Sequence, residues 1–205
     1  MKLYGTAAGA NPRRVSIYLV EKGLKIERVN FLPPLREIKT PEFLAKNPAG
    51  KLPVLELDDG TCISESAAIV EYLEEMYPDP PMIGTTPVER AQVRSLERMG
   101  TDLFARLELS VQHSIPEFIE SLGLTRYPDV IKAVEPSLNQ GLGVLETRIG
   151  DKPFLAGDRC TVADCTLFAL LHTCTTRFGY VLPDQFSRLH RWYRDFNRRP
   201  SATVE

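Results

Sequence analysis

Residues 47–55, N-P-A-G-K-L-P-V-L, and residues 64–69, S-E-S-A-A-I, lie on either side of the short segment L-D-D-G-T at 57–61. The apolar run through Val54, Leu55 and Leu57 is broken at Asp59-Gly60, a dipeptide typical of tight turns, and apolar residues resume at Cys62. This pattern predicts a β-hairpin. Helical periodicity follows at once, so the same stretch predicts a hairpin that leads directly into a helix.

The start of this helix has the chemistry of an amino-acid binding site. Ser64 and Ser66 are both candidate N-cap residues, and the first N–H groups of a helix favour a ligand carboxylate. Glu65 lies beside them and suits a ligand ammonium group. Pro53 opens a strand, where a missing N–H is tolerated, and a cis bond there would turn the neighbouring backbone toward a ligand.

The remainder of the first half predicts a small mixed sheet covered by helices. A crossover helix must lie against the sheet whose strands it connects, so the order β-α-β-α-β-β-α favours one α/β layer. Gly23 is the expected end of the first helix, and Thr40-Pro41 is a typical helix start. The predicted elements before the hairpin are a strand at 2–4, a helix at 12–21, a strand at 26–31 and a short helix from about 40.

The second half is predicted to be entirely helical. A proline-rich linker at 79–86 separates residues 1–78 from residues 87–205, where apolar residues recur at helical spacing. Thr86 should cap a long helix that begins at Pro87, and Thr161 with Asp164 resembles a capping box. The fold class is therefore α/β plus all-α, with further helices expected at about 129–149, 162–173 and 186–198.

Composition excludes several classes of function. The chain of 205 residues is 43% hydrophobic and carries a formal net charge of -2, which provides no strong field for nucleic acid. It lacks the run of roughly 18 apolar residues that a membrane helix needs and has no secretory leader, so we expect a cytoplasmic protein. The four cysteines and three histidines lack metal-ligand spacing, so no metal site is predicted.

These motifs together resemble the cytosolic glutathione transferases. The resemblance rests on N-P-x-G-K-L-P-V-L, S-E-S-x-A-I, the proline-rich linker, the helical half and T-V-A-D at 161–164, and it covers essentially the whole chain. It implies a thioredoxin-like first domain and glutathione as co-substrate, with no tightly bound cofactor. It also implies a second domain that binds a small hydrophobic electrophile, and a homodimer.

The resemblance also assigns residues to the ligand. Pro53 would be the family's cis-proline, Leu52 or Val54 would pair with the cysteinyl backbone, and Glu65 with Ser66 would hold the γ-glutamyl end. Lys39 and Lys51 lie where members contact the glycine end, and the position of the serine in serine-type members falls on Gly9 or Ala10. Candidates for the electrophile pocket are Met99, Leu103, Leu107, His113 and Phe118, although helix faces also bury core residues.

The loop that should hold the thiolate departs from the commoner patterns of the family. It has no cysteine or serine between Gly5 and Asn11, so Asn11, whose amide can donate to sulfur, is the first catalytic candidate. In this respect the loop resembles that of nu-class bacterial members. Thr6 ranks second and Tyr4 third, whereas Ser16 is expected inside the first helix. The alternative for Asn11 is that it only caps that helix ahead of Pro12.

The resemblance implies conjugation of glutathione to electrophiles or glutathione-dependent reduction of peroxides or disulfides. The alternative is a non-catalytic, transferase-like module that binds a protein partner. An isomerase that uses glutathione is disfavoured, because the S-S-C-x-W-R string of that class is replaced by G-A-N-P-R-R.

Overall fold

The computed structural model describes residues 1–115, 120, 123, 125–127 and 129–204, apart from the side chain of Gln112. Within these residues, a four-stranded mixed sheet with its helices is followed by a helical second half. The predicted fold class is confirmed. The candidate Phe118 lies outside the described residues.

The sheet has the strand order β2-β1-β3-β4. The central strand β1 pairs in parallel with β2, which follows the crossover helix, and antiparallel with β3 of the hairpin. Leu3 on β1 is buried against the main core, whereas Tyr4 points to the opposite face, as the two-residue period of a strand requires. The strands are Lys2–Gly5 (β1), Glu27–Asn30 (β2), Val54–Glu56 (β3) and Cys62–Ser64 (β4).

Three α-helices belong to the first half: Ala10–Lys22 (α1), Pro41–Lys46 (α2) and Ser66–Met76 (α3), with a 3₁₀ turn at Arg36–Lys39 before α2. Gly23 ends α1 in the left-handed conformation at φ 72°, and Thr40 caps α2 by accepting from the N–H of Phe43, both as predicted. The start of α1 differs from the prediction. Gly9, in an extended conformation, is its N-cap residue, so Asn11 lies inside the first turn and is not the cap.

The start of α3 also differs from the prediction. Neither Ser64 nor Ser66 is the N-cap residue, because Glu65 takes that position with a positive φ of 68°. This backbone conformation turns the chain sharply from β4 into α3 and leaves Ser66 as the first helical residue. Glu65 makes no capping hydrogen bond through its side chain.

The second half contains four α-helices among the described residues: Pro87–Ser114 (α4), Asp129–Ile149 (α5), Val162–Phe178 (α6) and Ser187–Phe196 (α7). Thr86 is the N-cap residue of α4, as predicted, and it forms a capping box with Glu89. The helix α6 continues to Phe178, beyond the predicted end at Thr173, because the left-handed residue that ends it is Gly179.

The T-V-A-D motif has a structural role that connects three segments. The buried Asp164 carboxylate accepts from both the N–H and the hydroxyl of Thr161, from the Leu155 N–H at 2.9 Å and from Trp192 Nε1 at 3.0 Å. A buried carboxylate requires such partners. The prediction that this motif is a folding signal agrees with these contacts.

Buried polar contacts join α1 to α3 and to the linker. Lys22 pairs with Glu74 of α3 at 2.7 Å and also donates to the carbonyl of Pro80 in the linker, while the hydroxyl of Tyr18 donates to the same carboxylate. The other face of α1 packs against α6, and one continuous apolar core includes residues of both halves. The position of α1, whose first turn carries Asn11, is therefore determined by both halves.

Each helix in the described ranges is too short or too polar to cross a lipid bilayer.

Candidate functional site

The first turns of α1 and α3 lie next to each other in the structure, where Ser66 contacts Asn11. Neither helix has a side-chain hydrogen bond at its N-cap residue, Gly9 or Glu65. The first N–H groups of both helices therefore remain available to an anion, and the helix dipoles add partial positive charge there. Such an arrangement suits a ligand that carries anionic groups.

One hydrogen bond joins these two helix starts. The Ser66 hydroxyl donates to Asn11 Oδ1 at 3.2 Å, and Ser66 is buried while Asn11 is exposed. Because Oδ1 is held by the serine, the amide Nδ2 is the end of Asn11 that faces outward, and among the described residues it has no acceptor. The structure thus brings together the residue predicted for the thiolate and one predicted for the γ-glutamyl end.

Thr6 organises the loop between β1 and α1. Its side chain is buried, and its hydroxyl oxygen accepts from the Ala8 N–H at 3.2 Å, which forms a local side-chain turn. Ala10, the first residue of α1, is also buried. Thr6 therefore lies beneath the loop, whereas Asn11 lies on its surface.

Tyr4, the third candidate for the thiolate, is directed away from the loop. Its hydroxyl donates to Glu56 on β3, and Lys46 of α2 binds the same carboxylate at 2.9 Å. The hydrogen bond to Glu56 and burial raise the pKa of Tyr4. Ser16 is buried inside α1, as expected.

Glu65 and Pro53 form the other side of the candidate site. The Leu52–Pro53 peptide bond is cis, as the resemblance implies for that proline. Glu65 is exposed, and its positive φ is unusual for a residue with a side chain, a type of strain that concentrates at ligand sites. Val54 is fully buried and pairs with β1 and β4, whereas Leu52 precedes the paired residues of the ladder.

The two candidate lysines have different environments. Lys39 Nζ donates to the Gly50 carbonyl at 3.0 Å, so it braces the N-P-A-G turn. Lys51 is exposed, and its own carbonyl accepts from Asn47 Nδ2 at 2.8 Å. Lys51 thus has the freer ammonium group of the two.

Two of the predicted pocket residues on α4, Met99 and Leu103, lie beside α5. Leu103 and Leu107 are buried in the main core, and Leu103 packs against Gly141 of α5. Met99 lines a groove on the same side of the helix. His113 is buried, and its Nδ1 accepts from the Tyr127 N–H at 3.1 Å. Packing and this hydrogen bond explain the burial of Leu103, Leu107 and His113, and their role as pocket residues stays a prediction.

Another face of α4 is directed at the first half, and sequence reasoning missed it. Glu97 pairs with Arg14 of α1 at 3.0 Å, and Arg94 pairs with Glu71 of α3. Glu108 follows Glu97 by about three helical turns and so lies on the same face. Although Glu108 is exposed, partial desolvation raises its pKa, while the charge of Lys51 opposes that shift. This charged spacing, which is visible in the sequence, is the signal that could have identified the side of α4 that faces the first half.

Comparison with known proteins gives the family. The family model described as "Glutathione S-transferase, N-terminal domain" matches residues 3–81, and the model of the C-terminal domain matches residues 128–195. The chain belongs to the glutathione S-transferase family. Among curated relatives of this glutathione S-transferase, "Glutathione S-transferase 2" of Saccharomyces cerevisiae is 33% identical, covering 98% of this chain and 88% of the relative.

Two further relatives add detail. "Maleylacetoacetate isomerase" of Pseudomonas aeruginosa is 34% identical over 93% of this chain and 88% of its own length. A glutathione S-transferase of Methylobacterium radiotolerans, solved in complex with glutathione sulfonate, superimposes with a TM-score of 0.80 at 26% identity, covering 98% and 91% of the two chains. Both curated relatives bear the names of enzymes, which does not favour the non-catalytic alternative. Among the described residues, no group of three or more side chains suited to a metal ion is found.

Proposed function

We propose that this glutathione S-transferase binds glutathione as a thiolate at the paired starts of α1 and α3 and transfers it to small hydrophobic electrophiles. The observation that carries the proposal is the hydrogen bond between Ser66 and Asn11. It connects the end of the site suited to an amino-acid zwitterion with the end that has an outward-facing amide donor. A tripeptide that carries its thiol in the middle residue can span these two ends.

The zwitterion end uses opposite charges. The exposed Glu65 carboxylate binds the γ-glutamyl ammonium, and the N–H groups at the start of α3 bind its carboxylate. Leu52 supplies the backbone contact to the cysteinyl residue in preference to Val54, whose backbone belongs to the β-ladder on both sides. Lys51 binds the glycine carboxylate directly, and Lys39 acts through the turn that it braces at Gly50.

The thiolate end must lower the pKa of a thiol from about 8.5 to below neutral pH. A shift of two units requires about 2.7 kcal/mol. A hydrogen bond from the Asn11 amide to a charged group contributes roughly 1.5–3 kcal/mol, and the start of α1 contributes roughly 0.3–1 kcal/mol. These two sources are sufficient. Thr6 supports them by holding the loop.

The electrophile binds in the cleft between the first half and the side of α4 that carries Glu97 and Glu108. With an aryl halide, the thiolate sulfur forms a bond to the ring carbon and halide leaves with the bonding electrons. With an organic hydroperoxide, the sulfur bonds to the outer oxygen as the O–O bond breaks, and the alkoxide that leaves takes up a proton from water to give the alcohol. A second glutathione then displaces water from the resulting sulfenic acid and gives the disulfide.

The further expectations are a homodimer, which is the common assembly of cytosolic members, a cytoplasmic location, and domain limits of 1–78 and 87–205 joined by the linker 79–86. Sedimentation velocity and limited proteolysis test the first and the last of these.

The function is tested with the purified full chain. We expect calorimetry to detect glutathione binding, and we expect turnover of 1-chloro-2,4-dinitrobenzene, of cumene hydroperoxide or of both. Glutathione binding without turnover of either substrate would instead support the non-catalytic module. Absence of glutathione binding would overturn both readings.

A further inference from the structure

One side chain of the second half reaches the loop that precedes Asn11. Arg177, in the last turn of α6, donates through Nη1 to the backbone carbonyl of Ala8. Ala8 lies in the loop between β1 and α1, 169 residues away in the chain. The contact therefore links the helical half directly to the backbone of the thiolate loop.

Ala8 is consequently held at both of its backbone polar groups. Its N–H donates to Thr6 Oγ1 at 3.2 Å, and its carbonyl accepts from Arg177. The next carbonyl, that of Gly9, accepts from the Arg13 N–H at 3.1 Å and closes the first turn of α1. Without Arg177, the Ala8 carbonyl loses this partner, and the loop that leads to Asn11 loses a constraint from outside the first half.

The guanidinium also carries a permanent positive charge, which the contact with the Ala8 carbonyl places at the loop that leads to Asn11. Ala8 and Asn11 are three residues apart, so their Cα atoms are at most about 11 Å from each other. At that range, in a medium of intermediate dielectric, one positive charge changes an ionisation constant by about threefold to tenfold. Other charged or titratable groups are Arg13 on α1, which interacts with His172 on α6, and Glu108 on α4, which interacts with Cys174 on α6.

We propose that Arg177 is a positioning residue of the transferase reaction. It fixes the Ala8 carbonyl so that the Asn11 amide stays directed at the glutathione sulfur, and its charge favours the thiolate over the thiol. The second half thereby contributes to activation of glutathione as well as to binding of the electrophile. This inference rests on the function proposed above.

The test compares Arg177→Met, Arg177→Lys and the wild-type chain. Arg98→Met is the matched control, because Arg98 is an exposed arginine whose ion pair among the described residues is with Asp102 in the next turn of α4. The measurements are the ultraviolet absorbance of the bound thiolate as a function of pH, the pH profile of kcat/KM, the glutathione Kd and the melting temperature. Arg177 is exposed, so these variants are expected to fold.

We expect Arg177→Met to lower kcat/KM about threefold to tenfold at pH values below the pKa of the bound thiol, with the difference shrinking at higher pH as all bound glutathione ionises. The Kd and melting temperature should change little, Arg177→Lys should recover part of the loss, and Arg98→Met should match the wild type. An Arg177→Met variant with the wild-type thiolate titration would overturn the inference, as would a uniform loss at every pH. Failure of the proposed function would appear in the wild type itself, as bound glutathione that never forms a thiolate.

Discussion

Removal of the Asn11 amide should change the pKa of bound glutathione by an amount that follows from one hydrogen bond. The carbonyl end of this side chain is held by Ser66 at 3.2 Å, so the substitution Asn11→Ala removes a donor whose orientation is already determined. A hydrogen bond to a charged group contributes roughly 1.5–3 kcal/mol. At 1.36 kcal/mol per pKa unit, the thiol of bound glutathione should become about one to two units more basic. Turnover below that pKa should fall about 10-fold to 100-fold.

Ser66→Ala should have a smaller effect through the same amide. It leaves the Asn11 donor in place but releases its carbonyl end, and a neutral hydrogen bond contributes about 0.5–1.5 kcal/mol. Because both substitutions act on one interaction, the double variant should lose less than the sum of the two single losses. The assay is the pH titration of the bound thiolate by ultraviolet absorbance, together with the pH profile of kcat/KM for all four proteins.

Asn197→Ala is the matched control, since Asn197 is an exposed asparagine just after α7. The reasoning is refuted if Asn11→Ala binds glutathione and titrates like the wild type. Strict additivity of the two substitutions would show that Ser66 acts independently of the Asn11 amide.

Three further predictions concern carboxylates. Glu65→Gln should weaken glutathione binding by about 1–3 kcal/mol in calorimetry, and an unchanged Kd would remove Glu65 from the ammonium site. Glu74→Ala leaves the buried Lys22 ammonium without its carboxylate partner and should lower the free energy of unfolding in urea by about 3–5 kcal/mol. A decrease below about 1 kcal/mol would contradict a stabilising role for this buried pair. Burial alone would raise the pKa of Glu21. The hydrogen bonds that its carboxylate accepts, above all the one from Arg199, outweigh burial and leave the pKa below 4.5. A lowered pKa in the folded state gives stability that is present above pH 4.5 and is lost as the pH falls through the folded-state pKa. The substitution Glu21→Gln should therefore make the melting temperature depend less on pH in the acid range. An unchanged pH profile would argue against this linkage.

The local elements were largely readable from the sequence because their signals act over a few residues. Gly23, Thr40 and Thr86 each end or begin a helix through a conformation or a hydrogen bond that involves immediate neighbours. The hairpin at 54–64 is specified by its turn and its apolar runs in the same way. Errors arose where two local signals competed. At the start of α3, two serines predicted a cap, but the positive φ of Glu65 placed the boundary between them.

The cleft-facing side of α4 shows a second kind of limit. The apolar residues Leu103 and Leu107 marked the helix correctly as amphipathic, but an apolar stripe indicates only that some neighbour covers it. That neighbour is the rest of the helical bundle. The side that faces the first half is marked by charges, with Glu97 paired to Arg14 across the interface.

The sequence by itself determined the order of elements, the two-part architecture and the motifs that carry the resemblance to glutathione transferases. Only the tertiary structure decided which side chains meet: Ser66 with Asn11, and Arg177 with Ala8. The physical reason is the range of the interactions. Caps, turns and periodicity arise among residues close together in the chain, whereas these contacts span 55 and 169 residues and depend on how α1 packs against both α3 and α6.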